Sequence, residues 1–464
     1  MNLKNYVISF EQRETIRIHG RPIPFCFSYD CAELEDGGEI TACSFVSEQV
    51  PGKPVLFITN GGPGSASAWQ NLGFFGPWRI HLNDVLNPDM VPPFSLEENP
   101  HCLLDIADVV LIDPPGTGCS RTGSRLKEYE SIDGDAEIIA RFIEAWRRNH
   151  SALQSRIFLA GESYGTLRMP AVMDALMGGP FAITRELGGL APAGIILLGS
   201  VISTGAALSQ PPVEECALRL MSDAAIHAYH SGKEPKEAAE KAWAFVPRYL
   251  TSLFRGNSLE EPELRENAEI LSGFTGIPSQ LLAEQLLVFT PEDFSRFCVR
   301  GSVIGTYDGR FLMKGPAVSG SFPFPGNTDP VAEDPAMGRY SPAFSAGMNL
   351  LREHYGLPKN QPYHMIRFDL NAAWDYASRH TPLGSLENGA RRNPSLKIFF
   401  GTGLFDLCTP AGNVRYTAAH CRINPEQIIL KEYESGHMPY LGEASAGKLE
   451  KDLREFLQAE RKAG

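Results

Sequence analysis

Five residues, Gly161-Glu162-Ser163-Tyr164-Gly165, constrain this chain more than any other feature. The apolar run of residues 156–160 leads into them and the helical pattern of residues 166–177 leads out. This is the G-x-S-x-G pattern in its strand-turn-helix setting. A backbone folded that sharply needs small residues around the serine, and it presents the hydroxyl at a helix N-terminus, where the dipole favours negative charge. The pattern occurs nowhere else in the chain, so Ser163 is the candidate nucleophile.

The surrounding pattern is of α/β type. Between about residues 39 and 200, apolar runs such as ITACSFV, PVLFITN, ADVVLID and AGIILLGS alternate with Gly/Pro turns and read as strands of a largely parallel sheet. Residues 133–150 carry a 3.6-residue apolar stripe with acids first and bases last, as a crossover helix should. Beyond about residue 205 the strand signals give way to helical patterns, and a Gly/Pro-rich stretch near 315–345 follows. LKIFFGTG and QIILKEYESG then restore the strands. With 464 residues the chain exceeds what one core usually holds. The expected division is a core of residues 1–205 and 376–464, interrupted by a mainly helical insertion over 206–375.

Composition narrows the partners. A formal charge of -13 repels phosphate backbones and anionic membrane surfaces, so no nucleic acid and no membrane is expected. There is no long apolar run, and the N-terminus is too polar for a signal peptide, which predicts a soluble, cytoplasmic protein. The nine cysteines include no C-x-x-C pair, which points to reduced thiols and to no metal site.

A serine hydroxyl needs a base and a group that orients the base. Of the eleven histidines, His437 alone sits in a Gly-flanked turn directly after a C-terminal strand. Asp406, a few residues past the apolar run of LKIFFGTG, is the candidate acid. Its rival Asp113 precedes the serine, the wrong order for such a triad, and reads as a structural carboxylate tying down the following turn. Asn60-Gly61-Gly62-Pro63-Gly64 follows another strand and suits a loop whose backbone N–H groups approach a substrate oxygen closely.

NGGPG at 60–64, DPPGTGCSRT at 113–122, GESYG at 161–165, GLFDLCTP at 403–410 and ESGHMPY at 434–440 together resemble the serine carboxypeptidase family, a branch of the α/β-hydrolases. The resemblance implies an α/β-hydrolase fold with a helical cap insertion, and a triad of Ser163, Asp406 and His437. It gives the backbone amides of Gly62 and Tyr164 to the oxyanion hole. It implies that Asn60, Gly61 and Glu162 bind a substrate's terminal carboxylate and that Met438 lines the leaving-group side. Neither metal nor cofactor is implied. A protonated carboxyl can share its proton with a carboxylate, whereas two ionised ones repel.

Three positions depart from the family's pattern. Ile58, Ser65 and Phe74 stand where a tryptophan, a cysteine and a glutamate are frequent. The last removes a second carboxyl from the carboxylate grip. The expected activity is removal of the C-terminal residue of peptides through an acyl-enzyme. The alternative is acyl transfer, or amide or ester hydrolysis, on a small molecule. A catalytically inert binding module is a third reading, disfavoured because every triad and oxyanion position is filled.

Overall fold

The computed structural model describes residues 3–48, 52–178, 189–202, 212–314 and 334–459. Nine strands form one sheet: β1 (Leu3–Ile18), β2 (Arg21–Leu34), β3 (Glu39–Ser47), β4 (Val55–Thr59), β5 (Asp108–Asp113), β6 (Ile157–Glu162), β7 (Gly194–Leu198), β8 (Lys397–Gly403) and β9 (Ile428–Tyr433). Their order is β1-β2-β3-β5-β4-β6-β7-β8-β9. From β5 to β9 every pairing is parallel. From β1 through β3 to β5 every pairing is antiparallel.

The parallel strands are apolar on both faces because helices cover both. Alternation along β4 shows the division: Leu56 and Ile58 enter one core cluster, Val55 and Phe57 the other. The second face is packed by α1 (Ile132–Asn149) and α2 (Gly165–Met177). Helix α1 forms where the acid-first, base-last pattern predicts. Ser131 caps it by accepting from the Gly134 amide at 3.1 Å, and the ring of Trp146 meets Phe57 edge-on at 5.3 Å. The same indole donates to Ser44 Oγ at 2.8 Å, so its polar edge is satisfied inside the core.

After the sheet's middle strands come α3 (Pro212–His230), α4 (Pro235–Arg255) and α5 (Glu261–Thr275), which share a separate apolar cluster with Leu404, Phe405 and Ala411. Helix α6 (Pro335–His354) behaves differently, although it lies within the same stretch between β7 and β8. Its Tyr340, Phe344 and Leu351 pack into the first sheet cluster beside Phe27 and Trp69, and Tyr355 just beyond it stacks on Phe27 at 3.7 Å. The helical stretch is therefore joined to the sheet at two places. Helices α7 (Pro382–Arg392), α8 (Ala411–His420) and α9 (Glu443–Gln458) belong to the C-terminal part of the described residues. The boundary near 205 and most of the Gly/Pro-rich stretch, residues 203–211 and 315–333, lie outside the described residues.

Two features depart from the sequence expectations. Strands β1 and β2 form a long antiparallel hairpin ahead of the first expected strand, turning at His19-Gly20. The run ITACSFV is a strand but pairs antiparallel to β5, since a strand's own residues do not encode its partner's direction. Among the described residues no helix is long and apolar enough to cross a membrane.

Every loop that carries a candidate site residue leaves the C-terminal end of a parallel strand: Asn60 after β4, Asp113 at the end of β5, Ser163 after β6, Asp406 after β8, His437 after β9. In open α/β sheets this edge is where ligands bind.

Candidate active site

Ser163 holds φ at 56°, a left-handed conformation that non-glycine residues seldom adopt and that costs ~1–3 kcal/mol. The surroundings fix it there. Its amide donates to the Leu198 carbonyl at 3.0 Å, and its own carbonyl accepts from the Thr166 amide at 2.8 Å and hydroxyl at 2.6 Å. Glu162 and Tyr164 on either side are buried, while Ser163 keeps part of its surface open.

Asp406 is fully buried. Its Oδ1 accepts from the amides of Cys408 and Thr409 at 2.8 and 2.9 Å, and its Oδ2 accepts from the Thr409 hydroxyl. The remaining contact joins Oδ2 to His437 Nδ1 at 2.8 Å. A carboxylate only accepts, so Nδ1 carries the hydrogen and Nε2 of the neutral ring is a bare acceptor. The two loops are laced together by Leu404 N donating to Tyr433 O at 2.9 Å and Phe405 N to Ser435 O at 3.1 Å.

Burial works against a protonated His437. The charge and hydrogen bond of Asp406, with Glu162 and Asp334 further off, outweigh it and hold the imidazole above its ordinary value. Nε2 is buried and has no hydrogen-bond partner among the described residues. The structure thus joins His437 to Asp406 but leaves the Ser163 hydroxyl short of a bond to Nε2. Such contacts commonly close only with substrate. Ser163 and His437 are nonetheless neighbours across the end of β7: Leu198 binds the Ser163 amide, and a Cβ on Gly199 would lie 3.1 Å from His437 Cε1.

The Asn60 loop closes over the elbow. A Cβ on Gly61 would lie 2.7 Å from both Ser163 Cβ and the Tyr164 amide nitrogen, so only glycine permits the approach. Gly62 has φ at 104°, again outside the range of side-chain-bearing residues. Among the described residues neither the Gly62 nor the Tyr164 amide donates to another protein group. Asn60 is held on three sides. Its carbonyl accepts from Arg168 Nη1, its Oδ1 from the Gln70 amide at 3.2 Å, and its Nδ2 donates to Glu162 Oε1 at 3.1 Å.

Glu162 is 2% exposed, and burial is the largest influence on its carboxyl, pushing it up to about 7. His437, Tyr440 and Asn60 pull the other way, and Asp406 adds to the rise. Met438, directly after His437, is buried in the first sheet cluster. Asp113, the rival acid, bonds to protein groups on two other segments: Oδ1 accepts from the Ser67 amide and the Tyr363 hydroxyl, each at 3.0 Å. Burial pushes it up to about 6.

Several contributors carry no motif of their own. The segment between β7 and β8 clamps both loops: Thr306 O accepts from Leu407 N at 3.0 Å and Tyr307 O accepts from His437 N at 2.6 Å. The Tyr307 ring also meets the imidazole edge-on at 5.0 Å. Thr409 is legible as a hydroxyl three residues past the acid. Arg168, five residues past the serine, was legible only as part of a helix. Tyr307 lies too far along the chain to be placed without the fold.

Residues 44–191 match the family model described as serine carboxypeptidase. The pheromone-processing carboxypeptidase KEX1 of Komagataella phaffii is 28% identical over 200 residues, which is 43% of this chain and 29% of that protein. Serine carboxypeptidase-like 5 of Arabidopsis thaliana is 30% identical over 133 residues, 28% of this chain and 29% of that one. The aligned stretch thus spans less than a third of those curated relatives. The solved structure of KEX1, a prohormone-processing carboxypeptidase from Saccharomyces cerevisiae, superposes with a TM-score of 0.57 at 13% identity, covering 91% of this chain and 86% of the other. The chain thus has the α/β-hydrolase fold, and over residues 44–191 it is similar to the serine carboxypeptidases.

Proposed function

We propose that the chain is a serine carboxypeptidase that removes the C-terminal residue of a peptide through an acyl-enzyme. Ser163 Oγ attacks the scissile carbonyl while His437 Nε2 takes its proton. Asp406 keeps the imidazole in the Nδ1–H tautomer and stabilises the imidazolium that forms. The amides of Gly62 and Tyr164 receive the oxyanion, and the strained turn at Ser163 aims both at one point. His437 returns its proton to the departing amine. Water then attacks the acyl-enzyme with the same histidine as base, freeing Ser163. Asn60 and Glu162 grip the substrate's terminal carboxylate, with Gly61 forming the floor and Met438 the leaving-group wall. Residues 206–375 cap the cleft, a reading supported by Tyr307 lying against His437.

One observation carries the exopeptidase reading over small-molecule acyl chemistry: the buried Glu162 carboxyl, bonded to Asn60 and pushed up to about 7. A carboxyl that keeps its proton nearly to neutrality can hold a carboxylate without an acidic medium. This also suits a cytoplasmic setting. The test is a blocked dipeptide incubated with the protein between about pH 5 and 9. Release of the C-terminal amino acid, strongest near neutrality, is expected. No release at any pH, with an ester of the same acyl group still turned over, removes the carboxypeptidase reading.

A further inference from the structure

Three residues past His437, the chain turns Tyr440 back into the site. The ring is 1% exposed, lies against the Gly73 backbone, and stacks on Phe74 with centroids 6.1 Å apart and planes 28° apart. Phe74 is the position where the family resemblance leads one to expect a glutamate. The Tyr440 hydroxyl comes to rest beside the Glu162 carboxyl. It does not close a well-formed bond there: the hydroxyl and Glu162 Oε2 are both buried and both without a hydrogen-bond partner among the described residues. Asn60 Nδ2 sits on the other Glu162 oxygen.

Unpaired polar atoms in a closed niche cost ~1–3 kcal/mol each, a cost that a ligand able to bond them removes. An ionised carboxylate offers about four acceptor sites and no donor. The niche offers three donors to match: an amide N–H from Asn60, the O–H of protonated Glu162 and the O–H of Tyr440. An amide or ester end group presents fewer acceptors and, in the amide, two hydrogens that would face donors.

Building on the carboxypeptidase reading, we propose that Tyr440 is a specificity-determining residue whose hydroxyl completes a three-donor corner for the substrate's terminal carboxylate, doing from the histidine loop what a second carboxyl would do from position 74. Tyrosine suits the place because its hydroxyl stays a neutral donor throughout the range in which Glu162 changes charge. The same hydroxyl stabilises Glu162 once that residue ionises.

The test compares an N-blocked amino acid with its primary amide as competitive inhibitors of ester hydrolysis, in the wild type and in Tyr440→Phe, which keeps the stacked ring. The wild type is expected to prefer the carboxylate. In Tyr440→Phe the ratio of the two inhibition constants falls about tenfold, the effect of losing one hydrogen bond to a charged group. The alkaline loss of carboxylate binding also moves to higher pH, because ionised Glu162 loses a donor. An unchanged ratio and an unmoved profile overturn the role of Tyr440 while leaving Asn60 and Glu162 in place. A wild type that binds acid and amide equally overturns the carboxylate corner itself, and this inference with it.

Discussion

Glu162→Gln keeps the shape of the side chain beside Asn60 and takes away its proton equilibrium. Burial lifts the wild-type carboxyl from 4.5 to about 7. At ~1.4 kcal/mol per unit, this disfavours ionisation inside the fold by ~3 kcal/mol. The sign follows from proton counting. Between those two values the folded state holds a proton that the unfolded chain has released, so stability falls as pH rises through the interval and levels off above about 7. Glutamine has nothing to release. In urea titrations the variant should gain on the wild type between about pH 4.5 and 8, by at most ~3 kcal/mol. Binding follows the same proton. Wild-type KM for a peptide acid should climb towards tenfold per unit above about pH 7, as Glu162 ionises against the substrate carboxylate. The variant's KM should stay flat there, at a level raised about tenfold by loss of the carboxyl's stronger bond. Parallel KM profiles in the two proteins, or a stability difference independent of pH, would show that the Glu162 proton governs neither binding nor stability.

Two other substitutions test the supports. Asp406→Asn retains the shape of the acid but reverses the tautomer of His437, so kcat on an ester should fall on the order of 10⁴-fold with KM little changed; stopped-flow or steady-state ester assays measure it. Arg168 and Asp135 are both fully buried and joined through Arg168 Nε, and Arg168 also binds the Asn60 carbonyl. Arg168→Met should cost ~3–5 kcal/mol in chemical denaturation by stranding Asp135. Adding Asp135→Leu should restore most of the stability while the KM for a peptide acid stays high, since Asn60 remains unsupported.

Much of the site could be read before the fold, because the chemistry dictates local sequence. A serine on a sharp turn needs glycines at 161 and 165, and a loop that touches it needs glycine at 61. Asp406 and His437 followed from order along the chain, and the structure brings them to 2.8 Å. What escaped depends on packing at long range. The hairpin of β1 and β2 has one strand with about every second residue exposed, whose charged alternation looks like a polar tail until its partner is present. Helix α6 begins inside a Gly/Pro-rich stretch that shows little periodicity, and only the fold reveals its apolar face, which packs on the sheet through Phe344 and Trp69, whose rings lie 4.9 Å apart. Tyr440 reads as an ordinary aromatic beside a motif. Only the burial of its hydroxyl against Glu162 sets it apart.

The central claim is that Ser163 is a nucleophile activated by His437. It is tested most directly by treating the protein with a fluorophosphonate and mapping the adduct by peptide mass spectrometry. One adduct is expected, on Ser163, forming rapidly in the wild type and lost in His437→Ala at the same pH. An unlabelled wild type, an adduct on another serine, or equally fast labelling without His437 would contradict it.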